Sequence, residues 1–461
     1  MAGGKRSLRL WKTVRKLHLS STQIIAVVFA GIILLGTGLL TLPVASRSGV
    51  SCGLFPALFT ATSATCVTGL VLYDTWSQWS GFGLSVILLL VEIGGLGFMS
   101  AASLVVFLLR KKVGLKQRMV MAQAMSLNDM QGVVRLQKIV LFGSVGIQLL
   151  GALVLFLNFL PTYGPRQSAV WGVFHAVTAF CNAGFDIFGS VAPGQSVISF
   201  NHDPVLLITL MVLVTVGGLG FFVWEELVRV RSFRKLSVYS KLVLIATVSI
   251  TVIAACLVLV LEWRNPKTLG VMPVWQKILN AFFQAVTLRT AGFASLDQAQ
   301  LTEATKAVSM LVMLIGGSSG STAGGLKTVT FVVLVLYMWA RARGKNTVHV
   351  FRRTIPNKKA HDAMTIFFLM TGLAFFAGFM ICATAPIPIS FTDGLFEAVS
   401  AIATVGVTAG ITPVMGKFAQ ILMIAFMYFG RVGVLTISLG FLMGNRAEER
   451  YRYADTDLLI G

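Results

Sequence analysis

The phrase FTATSATCVTGL (Phe59–Leu70) recurs three times in this chain, as FHAVTAFCNAGF (Phe174–Phe185), FQAVTLRTAGF (Phe283–Phe293) and FEAVSAIATVGV (Phe396–Val407). Each copy starts with Phe, runs through small and hydroxyl residues and reaches a Gly. The offset from Phe to Gly is the same in copies one, two and four and one residue shorter in copy three. Successive glycines lie 115, 108 and 114 residues apart. This period indicates one supersecondary unit repeated four times.

The phrase is too short to cross a bilayer, which takes about 20 apolar residues. It fits a re-entrant piece, in which a short helix enters the membrane and an unwound strip returns. Non-helical backbone at membrane depth is tolerated only where it is packed in protein or lines a cavity, so the four strips should converge on one axis. Their carbonyls would then replace the water shell of a cation, because Gly, without a Cβ, lets the chain turn them inward.

The segments TCVTGL, CNAGF, RTAGF and ATVGV resemble the selectivity filters of the TrkH/KtrB/HKT superfamily of cation-translocating subunits. The segment Gly316–Thr328 (GGSSGSTAGGLKT) resembles the intramembrane gate loop of that superfamily. The resemblance covers nearly the whole chain. It is closest to KtrB, because the first predicted helix begins by about Thr22, without the extra N-terminal helical pair of Trk-type members.

The resemblance implies four filter strips whose carbonyls bind potassium: Cys66, Val67, Thr68 and Gly69; Cys181, Asn182, Ala183 and Gly184; Arg289, Thr290, Ala291 and Gly292; Ala403, Thr404, Val405 and Gly406. It also implies a gate made of Gly316, Gly317, Ser318, Ser319, Gly320, Ser321, Thr322, Ala323, Gly324, Gly325, Lys327 and Arg431. Cys66 and Cys181 occupy equivalent places. Only His175 stands near these thiols, and as a lone His on a pore helix it is expected to be packed or hydrogen-bonded rather than a metal ligand.

Composition places the 461 residues among polytopic membrane proteins, because 56% are hydrophobic and only 12% are charged. The five cysteines are scattered singly, which predicts neither a disulfide framework nor a metal site. The first hydrophobic stretch lacks a convincing cleavage site, and it is interpreted as a retained span rather than a signal peptide.

The net charge of +21 is distributed unevenly. Alternate loops, taken as the inner ones, hold 28 of the 38 Lys and Arg residues. This asymmetry follows the positive-inside rule and predicts a plasma-membrane protein with both termini in the cytoplasm, rather than a nucleic-acid-binding protein. The basic loops would mostly set topology and touch anionic lipid, and some would dock a cytosolic partner. Eight basic residues fall in the predicted outer loops: Arg47, Arg166, Arg264, Lys267, Lys277, Arg289, Lys306 and Lys417.

The predicted fold is an all-α polytopic membrane protein with four pseudo-fourfold repeats of helix, pore helix, filter strip and helix. Its eight spans are 22–42, 81–109, 138–160, 204–228, 242–262, 305–340, 362–385 and 415–443, and its pore helices are 54–64, 169–180, 274–288 and 391–402. The corresponding domains are a basic N-terminus (1–21), repeats at 22–109, 138–228, 242–340 and 362–443, and a C-terminal tail (444–461).

Pore helices whose C-terminal ends point at the axis favour a cation there. Asp74, Asp186 and Asp297 follow the strips and are either ordinary caps or acids that concentrate cations.

The second, fourth, sixth and eighth predicted spans are called the even spans below. The third of these, 305–340, has to break. Its 36 residues would form a helix of about 54 Å, against a hydrocarbon core of about 30 Å. The break should fall at Gly316–Gly325, where nearly every residue is Gly, Ser or Thr. The segment 316–327 is called the glycine-rich loop below, and we hypothesise that this loop is a gate. Equivalent glycines in copies one and two, at Gly94-Gly95 and Gly217-Gly218, are explained by close helix packing.

Copy four has Arg431 where the other copies have Gly. A charge inside a span is a functional-site hypothesis, and we expect Arg431 either to bond the carbonyls of the glycine-rich loop or to form an electrostatic barrier below the filter. Glu92, at comparable depth, is its candidate charge partner, and a purely structural Glu–Arg pair is the alternative. Lys327 either snorkels to the cytosolic side or faces the pore.

The leading functional hypothesis is potassium uptake by the channel-like subunit of a Ktr-type system. Gly69 favours potassium, because HKT relatives with Ser at this position prefer sodium. The resemblance further implies a homodimer on a ring of cytosolic nucleotide-binding regulatory subunits (KtrA/TrkA-like), docked through 341–361 and 445–461. No cofactor is expected in this chain apart from potassium as the transported ion, and sodium remains open as an activator. The alternative is a sodium- or proton-coupled symporter. No constellation of catalytic residues predicts an enzyme.

Overall fold

The computed structural model describes residues 21–97 and 133–433. The helices, numbered in chain order, are α1 Ser21–Thr41, α2 Leu54–Thr65, α3 Thr75–Gln78, α4 Gly81–Leu96, α5 Val133–Phe180, α6 Pro204–Gly218, α7 Phe221–Val230, α8 Val238–Glu262, α9 Val274–Thr287, α10 Glu303–Leu314, α11 Thr328–Ala342, α12 Asn357–Thr384, α13 Phe391–Ile402 and α14 Lys417–Val432. Between α11 and α12, the strands β1 (Val348–Val350) and β2 (Arg353–Ile355) form an antiparallel hairpin.

Helices occupy all four segments predicted as pore helices. They are α2, the second arm of α5, α9 and α13. Helix α5 is interrupted at Gly164, whose φ of 74° and ψ of 169° are not helical, and Pro161 and Pro165 flank the break. Its first arm, 133–163, is therefore the first helix of copy two, and its second arm, 165–180, is the pore helix. Each pore helix packs against the helix that precedes it in its copy, and in copy two Gly172 lies directly against Ala152 of the first arm.

Several helices are suited to crossing a membrane. Among the described residues, α1, α5, α8 and α12 are long and apolar enough, and the bent pair α6 and α7 makes a fifth span if it is counted as one. Helices α4 and α11 are apolar but shorter. The chain is thus a multi-pass membrane protein, whereas the count of eight spans stays a prediction.

The described helices of the even spans end close to equivalent glycines, whereas continuous helices were expected in copies one, two and four. Helix α4 ends before Gly97 (φ 83°), the turn between α6 and α7 contains Gly220 (φ 91°), and α14 ends before Gly433 (φ 98°). A left-handed glycine ends a helix at no steric cost. Close packing alone is therefore an incomplete explanation of the glycines in copies one and two. The remaining parts of the predicted spans 81–109 and 415–443 lie outside the described residues.

The third even span breaks where its length requires. Helix α10 ends at Leu314 and α11 begins at Thr328, with the glycine-rich loop between them. In copy two the break is sharp, since α6 and α7 meet at an angle of 94°.

Apolar side chains cover both the centre and the lateral surface of the fold. The pore helices are almost wholly buried, with Phe59 and Phe396 at 0% exposure. Leu34, Phe142 and Val260 are in contrast 67%, 71% and 75% exposed on the outer helices. Such exposed apolar faces suit a hydrocarbon solvent. The core is therefore arranged around the four strips.

Candidate ion-conduction site

Each strip is anchored to its own pore helix by one repeated hydrogen bond. The residue before the filter glycine donates its N–H to the carbonyl of the Ser or Thr that stands four residues after the phrase's Phe. The four bonds are Thr68 N to Ser63 O (2.9 Å), Ala183 N to Thr178 O (2.8 Å), Ala291 N to Thr287 O (2.9 Å) and Val405 N to Ser400 O (2.8 Å). Copy three keeps this bond although it is one residue shorter, so its missing residue leaves the end of the strip in the common position.

In copies one and four, the hydroxyl groups at these positions also hold the filter glycines, and in copy three the hydroxyl holds the residue after the glycine. Ser63 Oγ accepts the N–H of Gly69 at 3.0 Å. Ser400 Oγ accepts the N–H of Gly406 at 3.1 Å and donates to the Val407 carbonyl at 2.6 Å. In copy three, Thr287 Oγ1 donates to the Phe293 carbonyl at 2.6 Å. The sequence analysis missed these residues, although a Ser or Thr at the fourth position after Phe in every copy was a usable signal.

The strips alternate in backbone handedness. Two residues before each filter glycine, φ is positive at Val67 (57°), Asn182 (59°), Thr290 (65°) and Thr404 (52°). The glycines Gly69, Gly184, Gly292 and Gly406 have φ of 99°, 67°, 86° and 92°, and the residue between has ordinary negative φ. Alternating handedness turns successive carbonyls toward one side, whereas in an ordinary strand they point alternately to opposite sides. Val and Thr are genuine outliers at positive φ, at a cost of about 1–3 kcal/mol each.

The four glycines meet in a closed ring. A Cβ placed on Gly69 would lie 2.5 Å from the carbonyl oxygen of Ala183 in copy two, and one on Gly184 would lie 2.8 Å from that of Ala291 in copy three. A Cβ on Gly292 would lie 2.8 Å from the Val405 oxygen in copy four, and one on Gly406 would collide with the Thr68 oxygen in copy one. The ring thus closes in the order of the repeats. The predicted convergence of the strips on one axis is confirmed.

An outer cavity opens beyond the ring. It has a volume of about 310 Å³, and its walls include the four filter glycines, Asp74, Asp186 and Asp297. Asp74 accepts the N–H groups of Ser77 and Gly194, and Asp297 accepts that of Ala299, so both also cap local structure. Burial, together with the nearby charge of Asp74, raises the pKa of Asp186 to about 7. The three acids are therefore structural caps or buried groups that also line the cavity.

The glycine-rich loop lies against the beginning of the strips, at the end away from this cavity. A bridge between Ile315 and Leu326 closes its base. Thr322 Oγ1 donates to the Phe180 carbonyl at 3.1 Å and lies 3.1 Å from the side-chain amide of Asn182. A Cβ on Gly324 would collide with Thr404 Oγ1. The loop is therefore in direct contact with the strips of copies two and four.

Arg431 and Lys327, the two basic side chains of the predicted gate, both hydrogen-bond to loop carbonyls. Arg431 donates to the carbonyls of Thr322, Gly94 and Gly95, the last at 3.1 Å, and so joins the loop to the end of α4. This is the contact with loop carbonyls that was expected of Arg431. Lys327 donates to the Ala323 carbonyl at 2.8 Å, within the loop itself.

Arg289 corrects the sequence analysis. It was counted among the outer-loop charges, but its guanidinium is buried at the end of α9 and donates to the Gly316 carbonyl (3.3 Å) and to Thr328 Oγ1 (3.1 Å). Its side chain therefore braces the base of the glycine-rich loop. In the strips, Cys66, Cys181, Arg289 and Ala403 still belong to the last turn of the pore helix, because each N–H bonds back into that helix.

Glu92 also differs from its expected role as the charge partner of Arg431. It accepts from Gln148 Nε2 at 3.0 and 3.2 Å and from Cys181 Sγ at 3.2 Å, and the ion pairs of the described residues do not include it. Arg431 instead reaches Gly94 and Gly95. The Glu92 side chain therefore faces α5, whereas Arg431 binds the carbonyls of Gly94 and Gly95, which lie in the last turn of α4 and have no partner within that helix.

His175 is packed, as expected. Nδ1 donates to the Trp171 carbonyl at 2.8 Å, and Nε2 accepts the Ile187 N–H at 3.3 Å, which fixes the returning chain. Its ring stacks on Phe188 with centroids 3.9 Å apart. Within 21–97 and 133–433, no group of three or more His, Cys, Asp or Glu side chains is placed to hold a metal ion.

Comparisons with known proteins show the family and the fold of this chain. The family model TrkH, described as cation transport protein, matches residues 7–449. The chain is 40% identical to the potassium/sodium uptake protein NtpJ of Enterococcus hirae, covering 98% of this chain and 99% of that protein. It is 36% identical to the Ktr system potassium uptake protein B of Bacillus subtilis, covering 98% and 99%. The crystal structure of the potassium transporter TrkH from Vibrio parahaemolyticus shares the fold, with a TM-score of 0.70 at 16% identity over 92% of this chain and 86% of that chain.

Replacing Gly292 with Ala should abolish cation uptake, because the new Cβ would lie 2.8 Å from both the Gly184 Cα and the Val405 oxygen at a backbone φ of 86°. Uptake of rubidium into proteoliposomes measures the effect. The matched control is Gly372→Ala, since open space surrounds that helical glycine. The control should retain full uptake, and full uptake by the Gly292→Ala protein would contradict the ring.

Proposed function

The chain belongs to the TrkH family of cation transport proteins, and from this we propose that it is a potassium uptake subunit whose ion crosses the ring of filter glycines. This is a family of transporters rather than of enzymes. The observation that carries the proposal is the closed cycle in which each glycine faces a carbonyl of the next copy. Relatives named as potassium uptake proteins support the choice of ion.

In the proposed mechanism, potassium sheds its water in the outer cavity and is bound by the carbonyls of Thr68, Ala183, Ala291 and Val405. The carboxylates around the cavity raise the local concentration of cations. Four pore helices end at the strips, and the partial negative charge of their C-termini favours a cation over an anion at the axis. The uniform carbonyl orientation supplies oxygens on one side of every strip.

The filter is proposed to select potassium over sodium through its four glycines. A Ser at Gly69 would place a side chain 2.5 Å from the Ala183 carbonyl, at a φ of 99° that side chains rarely adopt. One oxygen of the ring would have to move, and the match between the ring and a dehydrated potassium ion would be lost.

Gly69→Ser should therefore lower the ratio of potassium to sodium uptake by about tenfold or more, measured by growth of an uptake-deficient strain on low potassium together with sodium and rubidium fluxes. Gly38→Ser is the matched control, because that helical glycine has nothing within 4 Å of its Cβ position. Equal passage of sodium and potassium through the unaltered protein would refute the selectivity proposal.

The glycine-rich loop is proposed to gate this path, with Arg431 holding it across to α4. Support comes from its contacts with the strips at Asn182 and Thr404. A loop of small residues can rearrange at low steric cost. The Arg431 guanidinium also places positive charge at the same end of the strips, which opposes cation passage while the loop is in place.

Deleting residues 317–325 should raise the maximal potassium flux several-fold. The flanking residues Gly316 and Leu326 are already hydrogen-bonded at 2.9 Å, so the shortened chain can still join α10 to α11. Rubidium efflux from loaded proteoliposomes measures the rate, and the potassium-to-sodium ratio of the same sample shows whether the ring is intact. An unchanged flux with an intact ratio would exclude the gate.

The assembly and topology are further parts of the proposal. Three relatives are named as proteins of Ktr systems, which supports a transporter with additional subunits. We place both termini and the basic segments 229–241 and 341–359 in the cytoplasm, where a nucleotide-binding regulatory ring would dock on a homodimer, with sodium as a candidate activator. Coupled symport finds less support, because Glu92, a carboxylate within the predicted span 81–109, is engaged with Gln148 and Cys181.

A further inference from the structure

We propose that the turn between α6 and α7, residues 217–221 and called the elbow below, is the catch that holds the glycine-rich loop closed, and that Tyr239 and Glu226 position this catch. The inference rests on the proposed role of the loop as a gate. Copy two thereby takes part in gating. The sequence did not suggest this, because Gly217 and Gly218 were interpreted as glycines that allow close helix packing.

The elbow and the loop complete each other's hydrogen bonds. Gly217 and Gly218, at the end of α6, accept the N–H groups of Thr322 (3.2 Å) and Ser318 (3.0 Å). On the other side of the turn, Phe221 donates the first N–H of α7 to the Gly320 carbonyl at 2.8 Å. Helix ends leave carbonyls and N–H groups without partners inside their own helix. The loop supplies those partners on both sides of the 94° bend.

These mutual hydrogen bonds make it energetically unfavourable for the loop to leave the elbow. If the loop moved alone, three backbone groups of the elbow would remain unpaired in the protein interior, where each costs more than it would in water. Gly220 allows this close approach, because a Cβ there would lie 2.9 Å from the Ser319 carbonyl. Arg431 in comparison makes a single bond to the loop, at the carbonyl of Thr322.

Tyr239 adds a fourth bond from the next helix. Its hydroxyl, in the first turn of α8, donates to the Ser319 carbonyl at 3.2 Å. The Phe222 ring, just past the elbow, meets the Tyr239 ring edge-on with centroids 6.1 Å apart. The loop residues Ser319 and Gly320 are thus held from two helices at once.

Glu226 links α7 to the start of α8 through hydrogen bonds. Its buried carboxylate, on α7, accepts the Ser237 N–H and the Ser237 hydroxyl, both at 2.7 Å, and also the Ser240 hydroxyl at the start of α8. Hydrogen bonds to a charged acceptor are roughly twice as strong as neutral ones. These bonds fix the position of the start of α8 relative to the elbow. They therefore hold the Tyr239 hydroxyl within hydrogen-bond distance of the Ser319 carbonyl.

The test compares Tyr239→Phe with Tyr428→Phe. The Tyr428 hydroxyl also donates to a backbone carbonyl, that of Ala26 at 2.7 Å, which lies outside the glycine-rich loop. Tyr239→Phe should raise maximal rubidium flux about fivefold, the effect of losing one ordinary hydrogen bond from the closed state. The half-saturating potassium concentration and the potassium-to-sodium ratio should stay unchanged, and Tyr428→Phe should behave as the unaltered protein. Glu226→Gln, which keeps the shape of the side chain, should change flux in the same direction.

The same substitutions in the protein lacking 317–325 separate the two proposals. If the catch acts through the loop, Tyr239→Phe and Glu226→Gln have no further effect there. A deletion that fails to raise flux overturns the gate and the catch together. A deletion that raises flux, with both point variants at the unaltered rate in the full chain, overturns the catch alone. An equal rise on adding Tyr239→Phe to the deleted protein also overturns it, because the hydroxyl would then act elsewhere.

Discussion

Non-helical backbone inside a membrane protein must find every hydrogen-bond partner within the protein, and the rest of this structure depends on how the four strips meet that requirement. Each strip gives the N–H before its glycine to the Ser or Thr carbonyl of its own pore helix. The carbonyl of the same residue lies instead against the glycine of a neighbouring copy. The donors are thus used for holding the strip, and the acceptors are gathered at the axis. A ring of carbonyl oxygens carries partial negative charge, so it binds a cation and repels an anion.

The same requirement explains why strained residues are tolerated. Val67, Thr290 and Thr404 adopt a left-handed conformation that β-branched residues avoid. Such residues persist only where the surroundings over-determine them, which is common at functional sites. Here the surroundings are the pore-helix braces on one side and the packed ring on the other. The glycine-rich loop extends this logic, since several of its backbone groups are bonded by the elbow, Arg431 and Arg289.

The sequence contained the repeat, and with it the pore helices, the meeting of the glycines and the break in copy three. These features follow from period, residue size and helix length, which are local properties. It did not reveal the elbow in copy two, because a Gly pair is compatible with both a packed helix and a broken one. Arg289 and Glu92 were misplaced for a related reason. Their partners, Gly316 and Gln148, are distant in sequence, and only the packing of whole helices decides which neighbour a buried side chain meets.

Everything proposed above depends on the ring of carbonyls binding a dehydrated cation. Anomalous scattering from crystals soaked in rubidium or thallium tests this binding most directly. We expect a peak on the axis, surrounded by the carbonyls of Thr68, Ala183, Ala291 and Val405, that weakens when potassium competes. Peaks confined to the aspartates of the outer cavity, with the ring empty at saturating rubidium, would contradict it.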